Sequence, residues 1–157
     1  MSVELPFAPV DAVIRRNAGS LRVSADAAEE LARRIQTHGA ALAVDAARQA
    51  TAENRKTLMA GDFEASEATG ETSADGGTNA AVEKEALTLP VAPVDRIARL
   101  EIDDRYRVSM DARVALADVL EEYADNVARA AALLARHADR RTVQADDIET
   151  YFALFEG

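Results

Sequence analysis

Residues 5–11, LPFAPVD, return at residues 89–95 as LPVAPVD, with six of the seven letters unchanged. The match does not stop there. LRVSADAAEELARRI (21–35) lies against YRVSMDARVALADVL (106–120), and NRKTLMAGDFE (54–64) lies against DRRTVQADDIE (139–149). The offset is 84 at the first match and 85 at the later two, so the second copy has one extra residue before its RVS. Agreement at three successive segments points to a duplicated unit. The expected organisation is a first motif at 1–64, a linker at 65–88 and a second motif at 89–157. The linker, ASEATGETSADGGTNAAVEKEALT, is rich in Gly, Ser, Thr and Glu with little apolar periodicity. It reads as a flexible acidic tether, and its core as a coil would reach roughly 27 Å, enough to let one motif fold back on the other.

Each motif gives the same reading, all-α and short–long–short. APVDAVIRRN and APVDRIARL place a Pro in the first helical turn, where the backbone N–H has no intrahelical partner in any case. Ser24 and Ser109 are candidate N-caps of a long helix, each with an Asp two residues on. The expected long helices are 24–52 and 109–138. Leu31, Ile35, Leu42, Ala46 and Ala50 fall at helical spacing in the first, and Leu116, Leu120, Tyr123, Val127 and Leu134 in the second. Residues 110–137 contain neither Gly nor Pro, so a helix of about 42 Å is expected there. Two short neighbours cannot cover a stripe of that length; another long helix must cross it. Thr57 and Thr142 are expected to cap the third helices. The first of these is stunted, with only Leu58, Met59 and Phe63 apolar, against Ile148, Tyr151, Phe152 and Phe155 in the second.

This pattern, with its Ser-capped long helix and its R-[KR]-T loop, resembles the archaeal histones. The residues that carry the likeness are ELPFAPVDAVIRR, RVSADAAEELA and RKTLMAGDFE in the first copy. In the second they are LPVAPVDRIARL, RVSMDARVALADVLEEYADNVA, LARHADRRT and ADDIE. It covers nearly the whole chain outside the linker, and more narrowly the chain resembles the haloarchaeal histones, in which two motifs are fused in tandem. The resemblance implies an intramolecular handshake pseudodimer. It also implies binding to double-stranded DNA, through paired loops and first-helix N-termini, at phosphates and the minor groove and with little sequence preference.

Carried over by position, the implied DNA-binding residues are Arg15, Arg22, Lys56 and Thr57 in the first copy. In the second they are Arg96, Arg99, Arg107, Arg141 and Thr142. In a handshake, Arg22 should neighbour Arg141–Thr142, and Arg107 should neighbour Lys56–Thr57. Arg55 with Asp62 and Arg140 with Asp147 are implied structural ion pairs, seven residues apart across the second loop. Leu134, His137 and Asp147 match the surface through which family dimers stack. The equivalents in the first copy are Gln49, Ala52 and Asp62, so self-association is expected through the second motif alone.

Composition restricts the function further. There is no Cys, which excludes disulfides and thiolate metal sites. No apolar run reaches the roughly 20 residues of a membrane helix, and no basic-then-apolar start points to a signal peptide. The expected location is cytoplasmic, on the nucleoid. No phosphate loop, dinucleotide fingerprint or nucleophile elbow appears, so no enzyme, cofactor or metal is expected. The net charge is −10, with 28 acidic residues against 18 basic, and only Lys56 and Lys84 are lysines. That balance, with abundant Ala and 4% aromatics, points to a protein suited to concentrated salt. There, screening shortens to about 3 Å at 1 M. By segment the net charge is −1 for residues 1–64, −4 for 65–88 and −5 for 89–157. Since neither motif is basic, two functions stay open. One is an architectural DNA binder; the other is a transcriptional regulator or protein-interaction factor with weak or no DNA wrapping.

Overall fold

The computed structural model describes residues 3–67 and 86–156, and of residues 64–67 and 156 the backbone alone. In chain order the elements are α1 (Phe7–Ala18), β1 (Arg22–Val23), α2 (Ala25–Ala52), β2 (Thr57–Leu58) and α3 (Ala60–Glu67). Then come α4 (Val91–Ala98), β3 (Arg107–Val108), α5 (Met110–His137), β4 (Thr142–Val143) and α6 (Ala145–Glu156). Both long helices have 28 residues. Each starts where a Ser oxygen accepts a backbone N–H: Ala27 donates to Ser24 Oγ (3.2 Å) and Ala112 to Ser109 Oγ (3.0 Å).

The fold is two tandem motifs interleaved, as a handshake requires. The chain divides into two compact units, and neither coincides with a sequence repeat. One unit takes Met1–Gln36 and Glu121–Gly157; the other takes Thr37–Leu120. Each therefore holds half of α2 and half of α5, so each core is built from both copies.

In the first unit, α1 opens after Pro6 in extended conformation and buries Val10, Val13, Ile14 and Ala18. Its face meets Leu31 and Ile35 of α2 in a core where each fully buried Leu or Ile contributes about 1.5–3 kcal/mol. The end of α1 is pinned by charge. Arg16 Nη2 lies 2.9 Å from both Glu121 and Asp125, and the Asn17 amide donates to Asp125 (2.8 Å). The helix stops at Gly19, whose φ of 63° suits glycine, and Arg136 donates to the last carbonyl, that of Ala18 (3.1 Å). Phe152 is stacked beneath the Arg34 guanidinium at 4.4 Å and lies 6.3 Å from the Tyr123 ring, which leaves Tyr123 half-buried.

In the second unit, α4 has 8 residues against 12 in α1. Leu100 and Glu101 stand where α1 has Arg16 and Asn17, so the polar pin is lost and the chain leaves the helix early. The helix also ends before Leu100, which the matched segment LPVAPVDRIARL includes. Close approach is the rule in this core. A Cβ on Gly39 of α2 would lie 2.9 Å from both Ile97 of α4 and Leu120 of α5.

Three points depart from the sequence reading. Thr57 and Thr142 cap no helix; they belong to strands β2 and β4. Met59 and Gln144 precede the third helices, and their N–H groups are accepted by Asp62 (2.7 Å) and Asp147 (2.8 Å), three residues on. The four two-residue strands have no counterpart in the all-α pattern. Helix α3 continues to Glu67, into the segment read as linker, and residues 68–85 of that segment lie outside the described residues.

Candidate nucleic-acid interface

Both units carry the same small construction. In the first, β1 pairs with β4 in parallel, with Arg22 opposite Thr142 and Val23 opposite Val143. Arg22 N–H donates to the Arg141 carbonyl (2.9 Å) and Ser24 N–H to that of Val143 (3.0 Å). In the second, β2 pairs with β3, with Thr57 opposite Arg107 and Leu58 opposite Val108. Arg107 N–H donates to the Lys56 carbonyl (2.8 Å) and Ser109 N–H to that of Leu58 (3.1 Å). A strand points successive side chains to opposite faces. Buried Leu58, Val108 and Val143 anchor the inner face, which turns Arg22, Arg107 and the two Thr outward.

The loops that feed β2 and β4 are shaped by backbone and charge together. Asn54 and Asp139 adopt left-handed φ values of 61° and 65°. Arg55 N–H then reaches back to the Ala50 carbonyl (2.8 Å), and Arg140 N–H to that of Ala135 (2.9 Å). Each of these Arg side chains grips a buried carboxylate with both arms. Arg55 meets Asp62 at 2.9 and 3.0 Å, and Arg140 meets Asp147 at 2.5 and 2.8 Å. One arm of each also donates to the strand, at the Thr57 carbonyl (2.9 Å) or the Thr142 carbonyl (3.3 Å). Hydrogen bonds from Asp62 and Glu53 raise the Arg55 pKa, and Asp147 does the same for Arg140. Burial pushes the Asp62 carboxyl up, but Arg55 and the Met59 N–H outweigh it and hold the pKa below its ordinary value.

The nine implied DNA-binding residues fall into two classes. Arg22, Lys56, Arg107 and Arg141 are exposed, with no side-chain ion pair among the described residues, and Thr57 and Thr142 lie beside them. The first-helix cations differ. Arg15 pairs with Asp11 (2.6 Å), and Arg99 with Asp95 (3.1 Å), which also takes Arg113 (3.2 Å). Arg96 is exposed on α4. Sequence reasoning passed over Arg136, in the last turn of α5 beside the first loop pair; a cation one turn before a basic loop was the signal. Of the implied assembly residues, Leu134 is half-buried and His137 exposed, while Asp147 is 2% exposed and both its oxygens are taken within its own loop. Among the described residues no cluster of three or more His, Asp or Glu could hold a metal, and no helix is long and apolar enough to cross a membrane.

The family model for histone-like transcription factors (CBF/NF-Y) and archaeal histones matches the chain twice, at residues 3–66 and 87–151. Among curated relatives, the archaeal histone HAN1 of Thermococcus zilligii is 52% identical over 60 residues, which is 38% of this chain and 87% of that protein. Probable archaeal histone 3 of Methanocaldococcus jannaschii is 44% identical over 61 residues, 39% of this chain and 88% of that protein. The crystal structure of the histone from Methanopyrus kandleri superposes with a TM-score of 0.66 at 27% identity, covering 93% of this chain and 91% of that one. With both motifs matched and the interleaved fold shared, the chain belongs to the family of histone-like transcription factors and archaeal histones.

Proposed function

We propose that the chain is an architectural protein that binds double-stranded DNA with little sequence preference, through Arg22–Arg141–Thr142 in one unit and Lys56–Thr57–Arg107 in the other. The observation that carries this reading is the pair of β-bridged loops, each offering two cations not neutralised by the protein itself. Arg can bridge phosphates and enter a narrow minor groove, and Thr can donate to a phosphate oxygen. None of these side chains forms a recognition helix that would read base edges. The Arg-rich, Lys-poor, acidic composition supports a haloarchaeal-type fused histone acting on the nucleoid of a cell with concentrated internal salt.

The test is a titration of duplexes of unrelated sequence across a range of KCl. Four phosphate contacts give a slope of log K against log salt of about −3 to −4, the same for every sequence. A binding constant that ignores salt, or one that depends strongly on sequence, would overturn the reading.

The net charge of −10 favours a second reading, a histone-fold regulator or interaction factor that has kept the fold with little DNA wrapping. It predicts no duplex binding at any salt at which the protein stays folded.

A further inference from the structure

We propose that the two loop pairs are unequal, and that the chain grips duplex DNA chiefly through Arg22 and Arg141 while carboxylates of the 99–109 segment hold back Lys56 and Arg107. The proposal rests on the duplex-binding reading above and adds a polarity to it.

The backbone scaffold is the same in both pairs, so any difference comes from side chains and loop length. Between α1 and α2 the chain needs only residues 19–24, and Arg22 is the one charged residue there. Between α4 and α5 it takes residues 99–109, and Glu101, Asp103 and Asp104 cancel Arg99, Arg105 and Arg107. The cause is visible at the helix ends. Arg16 and Asn17 hold α1 to its last turn, whereas α4 stops early and releases acidic residues into the loop.

Those carboxylates lie near the phosphate-facing cations. The turn is closed by Tyr106 N–H donating to the Asp103 carbonyl (3.1 Å). The Asp103 carboxylate accepts the Arg105 N–H (2.9 Å) and lies 3.5 Å from the Arg105 guanidinium, so Arg105 is already partnered. Asp104 is three residues before Arg107, within about 11 Å of chain, which is comparable to the screening length of about 10 Å at 0.1 M salt.

The second loops widen the gap. Arg140 and Arg141 against Asp139 give the first pair a net +2 with Arg22; Arg55 and Lys56 against Glu53 give the second pair a net +1 in all. Arg136 then adds a further positive charge to the first pair, held by the Ala18 carbonyl and without a carboxylate partner among the described residues. Its counterpart in the second unit is Thr51, which is neutral and hydrogen-bonded to the Tyr106 hydroxyl.

Three variants of the full chain test the proposal against one duplex at low and high KCl, with helical content checked by circular dichroism. Arg22→Ala with Arg141→Ala should lower affinity at least tenfold and flatten the salt slope by about two units. Lys56→Ala with Arg107→Ala should lower affinity no more than about threefold. Glu101→Gln with Asp103→Asn and Asp104→Asn should raise affinity several-fold at low salt, a gain that misfolding cannot mimic and that adding Lys56→Ala with Arg107→Ala should cancel. Equal losses from the two Ala pairs, with no gain from the neutralised turn, would overturn the polarity and leave the duplex-binding reading intact. No binding by the unaltered chain at low salt would overturn both.

Discussion

Arg55 and Asp62 form a two-armed ion pair, at 2.9 and 3.0 Å, in which the carboxylate is 3% exposed and also accepts the Met59 N–H. The same seven-residue spacing produces the Arg140–Asp147 pair in the other unit. These pairs face inward and fix the loops; the neighbouring Lys56 and Arg141 face out. One position in each R-[KR]-T loop thus serves the fold and the next is left for a ligand.

Asp62→Ala should leave the Met59 N–H and the Arg55 guanidinium without their acceptor and destabilise the chain by about 1–3 kcal/mol. The pH dependence follows from the sign of the shift. The folded Asp62 pKa lies below the ordinary 3.8, so its contribution is fully present above that value and is lost as pH falls through the depressed one. Urea unfolding from pH 7 down to pH 2 should show the Asp62→Ala penalty shrinking at the acid end. A penalty independent of pH would mean that the carboxylate charge is not what stabilises the loop.

Arg16 supports a comparable test of surface charge. Exposed pairs contribute about 0–1 kcal/mol, and Arg48–Asp45, with side chains 73% and 53% exposed, belongs to that class. Arg16 is 41% exposed, but its partners Glu121 and Asp125 are 11% and 24% exposed. Arg16→Ala therefore leaves two poorly solvated carboxylates facing each other and should cost about 1–2 kcal/mol, with faster hydrogen exchange at the end of α1. Arg48→Ala should change nothing measurable. Equal effects from the two substitutions would remove the pin from the account of why α1 outlasts α4.

Two glycines in helices should respond in opposite directions. Gly61 of α3 has no heavy atom within 4 Å of a notional Cβ, and Gly61→Ala should stabilise by about 0.5–1 kcal/mol through backbone entropy. At Gly39 a Cβ would come to 2.9 Å from Ile97 and Leu120. Overpacking costs about 1–3 kcal/mol, more than helix propensity returns, so Gly39→Ala should lower Tm. A stabilising Gly39→Ala would show that α2, α4 and α5 are less tightly packed around this position.

Much of this architecture is readable from the chain. The long helices are legible because 28 residues give an apolar stripe several turns in which to repeat, and because Ser24 and Ser109 announce their starts. The loop partnership of Arg22 with Arg141 and of Arg107 with Lys56 follows from the duplication once the motifs are taken to interleave. The strands are illegible because two residues cannot display a period, and Thr57 looks like a cap for the same reason that it suits a strand end. Which Arg side chains stay unpaired is harder to see. Arg15 and Arg99 each have an Asp four residues earlier, a spacing that signals an ion pair but competes with the pull of their position on the first helix.

Self-association follows from the asymmetry at the ends of the long helices. Leu134 and His137 in the last turns of α5 are half-buried and exposed, whereas their counterparts on α2, Gln49 and Ala52, are exposed and offer neither an apolar side chain of that size nor an imidazole. A patch present at one end only closes after two chains, since a filament would need a second patch. Asp147, expected beside His137 in such an interface, is 2% exposed with both oxygens engaged by Arg140 and the Gln144 N–H. A second chain's imidazole would have to share a carboxylate already occupied. The apolar contact at Leu134 should therefore contribute more than the His–Asp contact. In sedimentation at high salt, Leu134→Asp should shift any two-chain species to single chains, His137→Ala should shift it less, and Ala52→Gly should leave it unchanged. Oligomers that lengthen with concentration, or a pair indifferent to Leu134→Asp combined with His137→Ala, would place the contact elsewhere on the chain.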